Sequence, residues 1–300
     1  MTLYTQAAAN IRKTWLLITS FLIFVILLGW FFSYLFSEQW ILILAVVFAI
    51  FQSFLSYWNA DKIILSLSQA QGPIKKEDNP ELYRIVENLS ITAGLPMPKI
   101  YIIDDVSPNA FTTGRDPQHA IICVTRGLLD KLEKTELEGV ISHELSHIGN
   151  RDILLCSVIV VLIGIISLLS NWLLRGMSFG RGRRRNNDDS NLGLILMLIG
   201  LVVAILAPIA AVLMQLAISR KREFLADATG ALLTRYPEGL ARALEKIAND
   251  PVPLRTANQA TAHLFIADPL KLKRTNWFSK LWLTHPPLEE RIKILRQMNI

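Results

Sequence analysis

The sequence predicts an integral membrane α-helical protein of about four spans that carries one α+β domain on its cytoplasmic side. Three observations carry that expectation. Of 300 residues, 52% are hydrophobic, and the mean hydropathy of +0.37 is too high for an ordinary soluble domain. The excess is gathered into runs close to the roughly 20 residues needed to cross a hydrocarbon core. The remaining residues alternate helical and strand patterns and are numerous enough for one compact domain.

The runs are Trp15–Phe36, Trp40–Trp58, Ile153–Leu174 and Leu192–Ala217. The first is too long for a cleaved leader and reads as a retained anchor. Only Ser37-Glu38-Gln39 separates it from the second, so the two form a tight hairpin. Arg12 and Lys13 precede the hairpin, and Lys62, Lys75, Lys76, Arg84 and Lys99 follow it. The positive-inside rule places both flanks in the cytoplasm. The net charge of +6 fits that bias rather than nucleic-acid binding. The chain thus divides into a transmembrane hairpin (1–58), a first part of the α+β domain (59–152), a second hairpin (153–217) and a second part of the domain (218–300). The loop RGMSFGRGRRRNNDDSN of the second hairpin holds five arginines. If both segments cross, it lies outside and opposes the charge rule.

Within the domain, Asp78-Asn79-Pro80 opens a helix whose apolar face is Leu82, Ile85, Val86 and Leu89, and Gly94 stops it. KIYIID (99–104) and HAIICVT (119–125) are β-branched and read as strands. SPNAFTTGRDPQ between them reads as loop. Thr135 and Glu138 have capping-box spacing at the start of the next helix. Further helices are expected around Ser219–Tyr236, Pro237–Ala248 and Pro287–Gln297. The two cysteines, Cys123 and Cys156, fall in a strand and an apolar run. Neither suggests a disulfide framework.

The chemistry sits in His143-Glu144-Leu145-Ser146-His147. Residues i and i+4 of a helix share one face. Two imidazoles so placed can hold one zinc ion, with the intervening glutamate as general base. Chance would give roughly 0.004 such matches in a chain of this composition. A catalytic zinc takes three protein ligands. The metzincin extension fails, because Asn150 and Ile153 stand where Gly and His are required. The best candidate for the third ligand is Glu223 in SRKREFLADATG, with Asp227 one turn later placed to accept from a ligand histidine. His263 and His285 are the other candidates.

HELSHIGNRD, SRKREFLAD and THPPLEERI, with PNAFTTG upstream, occur in order over nearly the whole chain. Together they resemble the HtpX-type membrane zinc metalloproteases, relatives of the eukaryotic CAAX prenyl proteases. The resemblance implies a zincin-like domain with gluzincin-type endopeptidase activity. It implies one zinc per chain, a multi-pass position in the bacterial inner membrane and an active site facing the cytoplasm. The task implied is quality control of misfolded membrane proteins, so protein substrates and the bilayer are the expected partners. It also implies that His143, His147 and Glu223 bind zinc, that Glu144 is the base and that Asp227 supports a ligand. His285 is expected near the developing oxyanion. The strand Ala120, Ile121, Ile122, Cys123 and Val124 is expected to pair with substrate backbone as an edge strand, with Asn109 and Phe111 near the cleft.

Three other functions are weighed. A metal transporter needs ionisable residues within its spans, and the four runs hold none. A zinc-binding scaffold without activity predicts a damaged base or ligand, and Glu144 and Glu223 are intact. A CAAX-type processing protease remains the nearest enzymatic alternative, but this chain is too short to supply a chamber of additional spans.

Overall fold

Two long apolar helices open the chain in a computed structural model that describes residues 3–180, 219–257, 260–271 and 286–298, with isolated positions 202, 206, 209, 212 and 213. Helix α1 spans Leu3–Phe36 and α2 spans Gln39–Trp58. Ser37 turns the chain between them with φ 55°. Both are long and apolar enough to cross a membrane. They expose Leu27, Trp30, Val47 and Phe51, the outward apolar surface expected of helices solvated by lipid. A short helix, α3 (Ala60–Leu67), follows. The fourth expected span, 192–217, lies outside the described residues apart from the isolated positions above.

Helix α4 (Pro80–Ala93) forms as its punctuation dictates. The Asn79 side chain accepts from the Leu82 amide, Pro80 occupies the first turn, and Gly94 closes the helix in the left-handed region at φ 67°. The sheet contains β1 (Lys99–Ile103), β2 (Ala110–Thr113) and β3 (Ile121–Thr125) in the order β1-β3-β2. β1 and β3 are parallel, with Lys99 opposite Ile121. β2 and β3 are antiparallel, with Phe111 opposite Cys123.

This corrects two expectations. The segment read as loop contains β2, a four-residue strand hidden among Pro, Asn, Gly and Asp. And β3 is the central strand, not an edge. Its backbone is paired on both sides, so Ile121, Ile122, Cys123 and Val124 have no ladder groups left for a substrate. The carbonyl of Ala120, just before the strand, already accepts from the Lys99 amide, and all five residues are buried.

After α5 (Arg126–Lys131), helix α6 (Lys134–Gly149) runs through the core. Its capping box uses Glu133 and Glu136, not Thr135 and Glu138: the Glu133 amide donates to Glu136 Oε2 at 2.8 Å. Lys246 Nζ holds the same oxygen at 2.7 Å, which fixes the register two residues earlier than the sequence suggested. The chain then bends by 83° at Arg151, whose φ is 59°, into α7 (Asp152–Gly180). The first half of α7 is buried against α1 through Ile18, Phe21, Leu155, Val158 and Leu162. Helices α8 (Arg220–Thr234), α9 (Pro237–Asn249) and α10 (Leu288–Arg296) complete the domain. One apolar core joins α4, the sheet, α6, α9 and α10 through Val86, Ile122, Ile141, Leu145, Leu244 and Leu295.

Candidate metal centre

α6 presents His143 and His147 one turn apart, and α8 presents Glu223 and Asp227 in the same way. Gly230, one further turn along α8, lets the helices close. A Cβ there would stand 2.9 Å from the His143 backbone nitrogen, so only a residue without a side chain permits this approach. Positions 223, 227 and 230 share a helix face, so the contact at Gly230 aims both carboxylates at the histidines.

The three nearest groups form a tight cluster. His143 Nε2 and His147 Nε2 are 3.2 Å apart, His147 Nε2 and Glu223 Oε1 are 3.6 Å apart, and His143 Nε2 and Glu223 Oε2 are 3.8 Å apart. Ligand bonds of about 2.0–2.2 Å around tetrahedral zinc give ligand-to-ligand edges of about 3.3–3.6 Å. The cluster therefore fits one zinc ion, and His143, His147 and Glu223 could hold it.

Each histidine is oriented from behind. His143 Nδ1 donates to Asp227 Oδ1 at 2.9 Å, and His147 Nδ1 donates to Asp152 Oδ2 at 3.0 Å. These bonds leave both Nε2 lone pairs facing inward, the tautomer a metal requires. Asp152 escaped the sequence reading because it is five residues after His147, off the helical spacing. The bend at Arg151 returns it to the site. Arg291 of α10 was also missed. Its guanidinium is fully buried and grips Asp227 with two bonds of 2.7 and 2.8 Å. It also donates to the Ile266 carbonyl at 3.0 Å and stands 3.3 Å from Glu223 Oε2.

Glu144 is buried beside the cluster. Thr112 Oγ1 of β2 donates to its Oε2 at 3.0 Å, while its Oε1 has no hydrogen-bond partner among the described residues. Burial raises the Glu144 carboxyl above its ordinary range, and the two histidines and Thr112 oppose that rise. His147 is affected the other way. Burial lowers it, but the Asp152 hydrogen bond and the charges of Glu223, Asp152 and Glu144 prevail and raise it to about 9. Burial also opposes ionisation of Asp227, yet Arg291 and His143 outweigh it and hold that carboxyl below its ordinary value.

Asn109 and Phe111 do not face this site. Strand alternation turns Phe111 into the core, edge to face with Phe265 at 4.9 Å, and points Thr112 at Glu144 instead. Asn109 is buried and donates to the Ala267 carbonyl at 3.1 Å. Phe265 also meets Phe111 on the outer side of β2, where the Ile266 amide donates to the Ala110 carbonyl at 2.9 Å. His263 is buried and lines a cavity of about 30 Å³ with Thr112, His147, Asp152 and Glu223. His119 is held at the surface by Asp116 and Arg115. His285 lies outside the described residues.

Comparison with known proteins bears on the same elements. Residues 76–299 match Peptidase family M48. A protease HtpX homolog from Caldanaerobacter subterraneus subsp. tengcongensis is 47% identical over 304 residues, covering 100% of this chain and 99% of that protein. Another, from Lactobacillus helveticus, is 44% identical over 302 residues, covering 99% of this chain and all of that protein. Among solved structures, S. mikatae Ste24p shares the fold with a TM-score of 0.50 at 19% identity. The match covers 98% of this chain and 66% of the Ste24p chain. Since the family match takes in the sheet, both helices of the His-His-Glu cluster and the buried arginine, and since relatives align from end to end, the chain belongs to peptidase family M48 and is a membrane metalloprotease.

Proposed function

We propose that the chain is a zinc-dependent endopeptidase that cleaves misfolded or damaged proteins in or at the membrane. One zinc per chain is held by His143, His147 and Glu223. The carrying observation is the set of 3.2–3.8 Å separations among these ligand atoms, with Glu144 on the same helix and one carboxylate oxygen unpartnered. When bound, zinc would supply Lewis acidity toward the scissile carbonyl and toward the attacking water. Glu144 accepts the water proton at Oε1 and later delivers it to the leaving amine. Thr112 holds the other oxygen and fixes the direction of that transfer. Asp227 and Asp152 keep the two imidazoles in the required tautomer. His285 serves as a donor to the developing oxyanion.

The site faces the cytoplasm of a bacterial cell, in the inner membrane, and four segments cross. The arginine and lysines flanking the first hairpin support the cytoplasmic side, and the 83° bend between α6 and α7 supports a site close to the bilayer surface. If α7 crosses the bilayer, α6 lies nearly flat along its surface, within reach of substrates that are themselves in the membrane.

The test uses the zinc-loaded full chain in detergent with an unfolded membrane protein as substrate. The wild type cleaves it, whereas Glu144→Gln retains about one zinc per chain and loses activity on the order of 10²–10⁴-fold. Undiminished cleavage by the variant would refute the role of Glu144. Topology is tested by a cysteine at Ser178 in a chain with Cys123 and Cys156 replaced. In intact cells an impermeant thiol reagent labels it if the second hairpin crosses, and only opened cells are labelled if it does not.

A further inference from the structure

The first apolar helix reaches the metal centre. Asn10 precedes the apolar run of α1 and is 1% exposed. Its Nδ2 donates to Asp152 Oδ1 at 2.7 Å and to the Asn150 carbonyl at 3.0 Å. The other oxygen of Asp152 accepts from His147 Nδ1 at 3.0 Å. A continuous chain of hydrogen bonds thus runs from α1 to one of the three ligand residues.

The chemistry of this position demands an amide. Both partners are acceptors, so the side chain must offer two hydrogens from one short stem. Aspartate would set two carboxylates against each other, and serine would offer one hydrogen. The position is also held firmly. Asn10, Thr14, Ile18 and Phe21 recur along one face of α1. Thr14 Oγ1 donates to the Asn10 carbonyl at 2.9 Å, and Ile18 and Phe21 pack on Leu155, Val158 and Leu162 of α7. The buried face of α1 therefore has a polar head at the metal centre and an apolar tail along α7.

We propose that Asn10 is a positioning residue for the metal centre, fixing the Asp152 carboxylate that orients His147 and so coupling the seating of the first membrane helix to metal binding. This rests on His147 being a zinc ligand. Coupling between two equilibria is reciprocal, so zinc in turn tightens the seating of α1 on α7.

The experiment is a zinc competition against a chromophoric chelator, with the full chain in detergent. Asn10→Ala should bind zinc about 10-fold more weakly, the lower end for outer-layer partners of a metal ligand. Asn10→Asp should bind more weakly still. In an Asp152→Ala background, Asn10→Ala should cause no further loss, because the two residues act in series. Lys13→Ala, at an exposed position of the same helix end, should keep wild-type affinity. If Asn10→Ala does not fold, Asn10→Ser retains one donor and should lose less than 10-fold. Wild-type affinity in the Asn10 variants, additive losses in the double variant, or an equal loss in Lys13→Ala would each overturn the proposal. Failure of the underlying reading looks different: His147→Ala would then bind zinc as well as the wild type.

Discussion

Arg291→Met is the sharpest test of how the site is held together. The substitution keeps an unbranched side chain but removes a buried guanidinium that makes bonds of 2.7 and 2.8 Å to Asp227 and one of 3.0 Å to the Ile266 carbonyl. Asp227 is itself buried, so its carboxylate is left without a counter-charge. Breaking a buried pair in this way costs about 3–5 kcal/mol. At about 2–4 °C per kcal/mol for a domain of this size, the melting temperature of the metal-free protein should fall by roughly 6–20 °C. Zinc affinity should fall about 10–100-fold, because Asp227 no longer fixes His143. The stability loss should depend on pH with a definite sign. Asp227 has a lowered pKa, so its contribution is present above the unfolded value of 3.8 and disappears as pH falls through the folded value. The double variant Arg291→Met/Asp227→Leu removes both charges and should regain most of the lost stability while binding zinc weakly. Thermal unfolding in detergent, followed by tryptophan fluorescence, reads the first effect and chelator competition the second. A single variant that melts within about 2 °C of the wild type and binds zinc normally would refute the bracing role of Arg291.

Three further outcomes are expected. Gly230→Ala should push α8 from α6, costing about 1–3 kcal/mol and weakening zinc binding, both measured as above; a variant unchanged in both would show that the helices can separate without disturbing the carboxylates. Zinc affinity should rise about tenfold per pH unit from about pH 6 to 8, because the metal must displace a proton from His147, whose pKa is raised to about 9 in the metal-free site. The same shift makes the metal-free fold lose stability as pH climbs from the ordinary value of 6.5 towards 9, and a flat profile in both measurements would contradict it. Thr112→Val should lower kcat about 10-fold with zinc content unchanged, since it frees Glu144 Oε2 but touches no ligand; normal turnover would make that bond incidental.

Local spacing explains what could be read from the sequence. His143 with His147, and Glu223 with Asp227, each stand four apart on a helix, and that regularity announces a shared face. Asn79, Pro80 and Gly94 delimit α4 for equally local reasons. Distant contacts and short strands leave no such local signal. β2 has four residues in a run of turn formers, so its alternation is too brief to register, and without it β3 looks like an edge. Thr112 could have been found as the neighbour of Phe111, since adjacent residues of a strand point to opposite faces. Asp152, Arg291 and Asn10 have no such signal. Each reaches the site only after a bend or a long return of the chain, although Asp152 and Arg291 lie within stretches that the family resemblance had already marked.

The centre is drawn from segments that leave the ribosome at very different times. At about 5–20 residues per second, synthesis needs roughly 7–30 s to travel from His143 to Arg291. Throughout that interval both histidines and then Glu223 and Asp227 exist, yet the guanidinium that braces Asp227 has not been made. A nascent chain arrested before Arg291 should hold zinc weakly and cut poorly. Because this one arginine is made after every ligand residue of the cluster, the centre stays slack until its brace is in place.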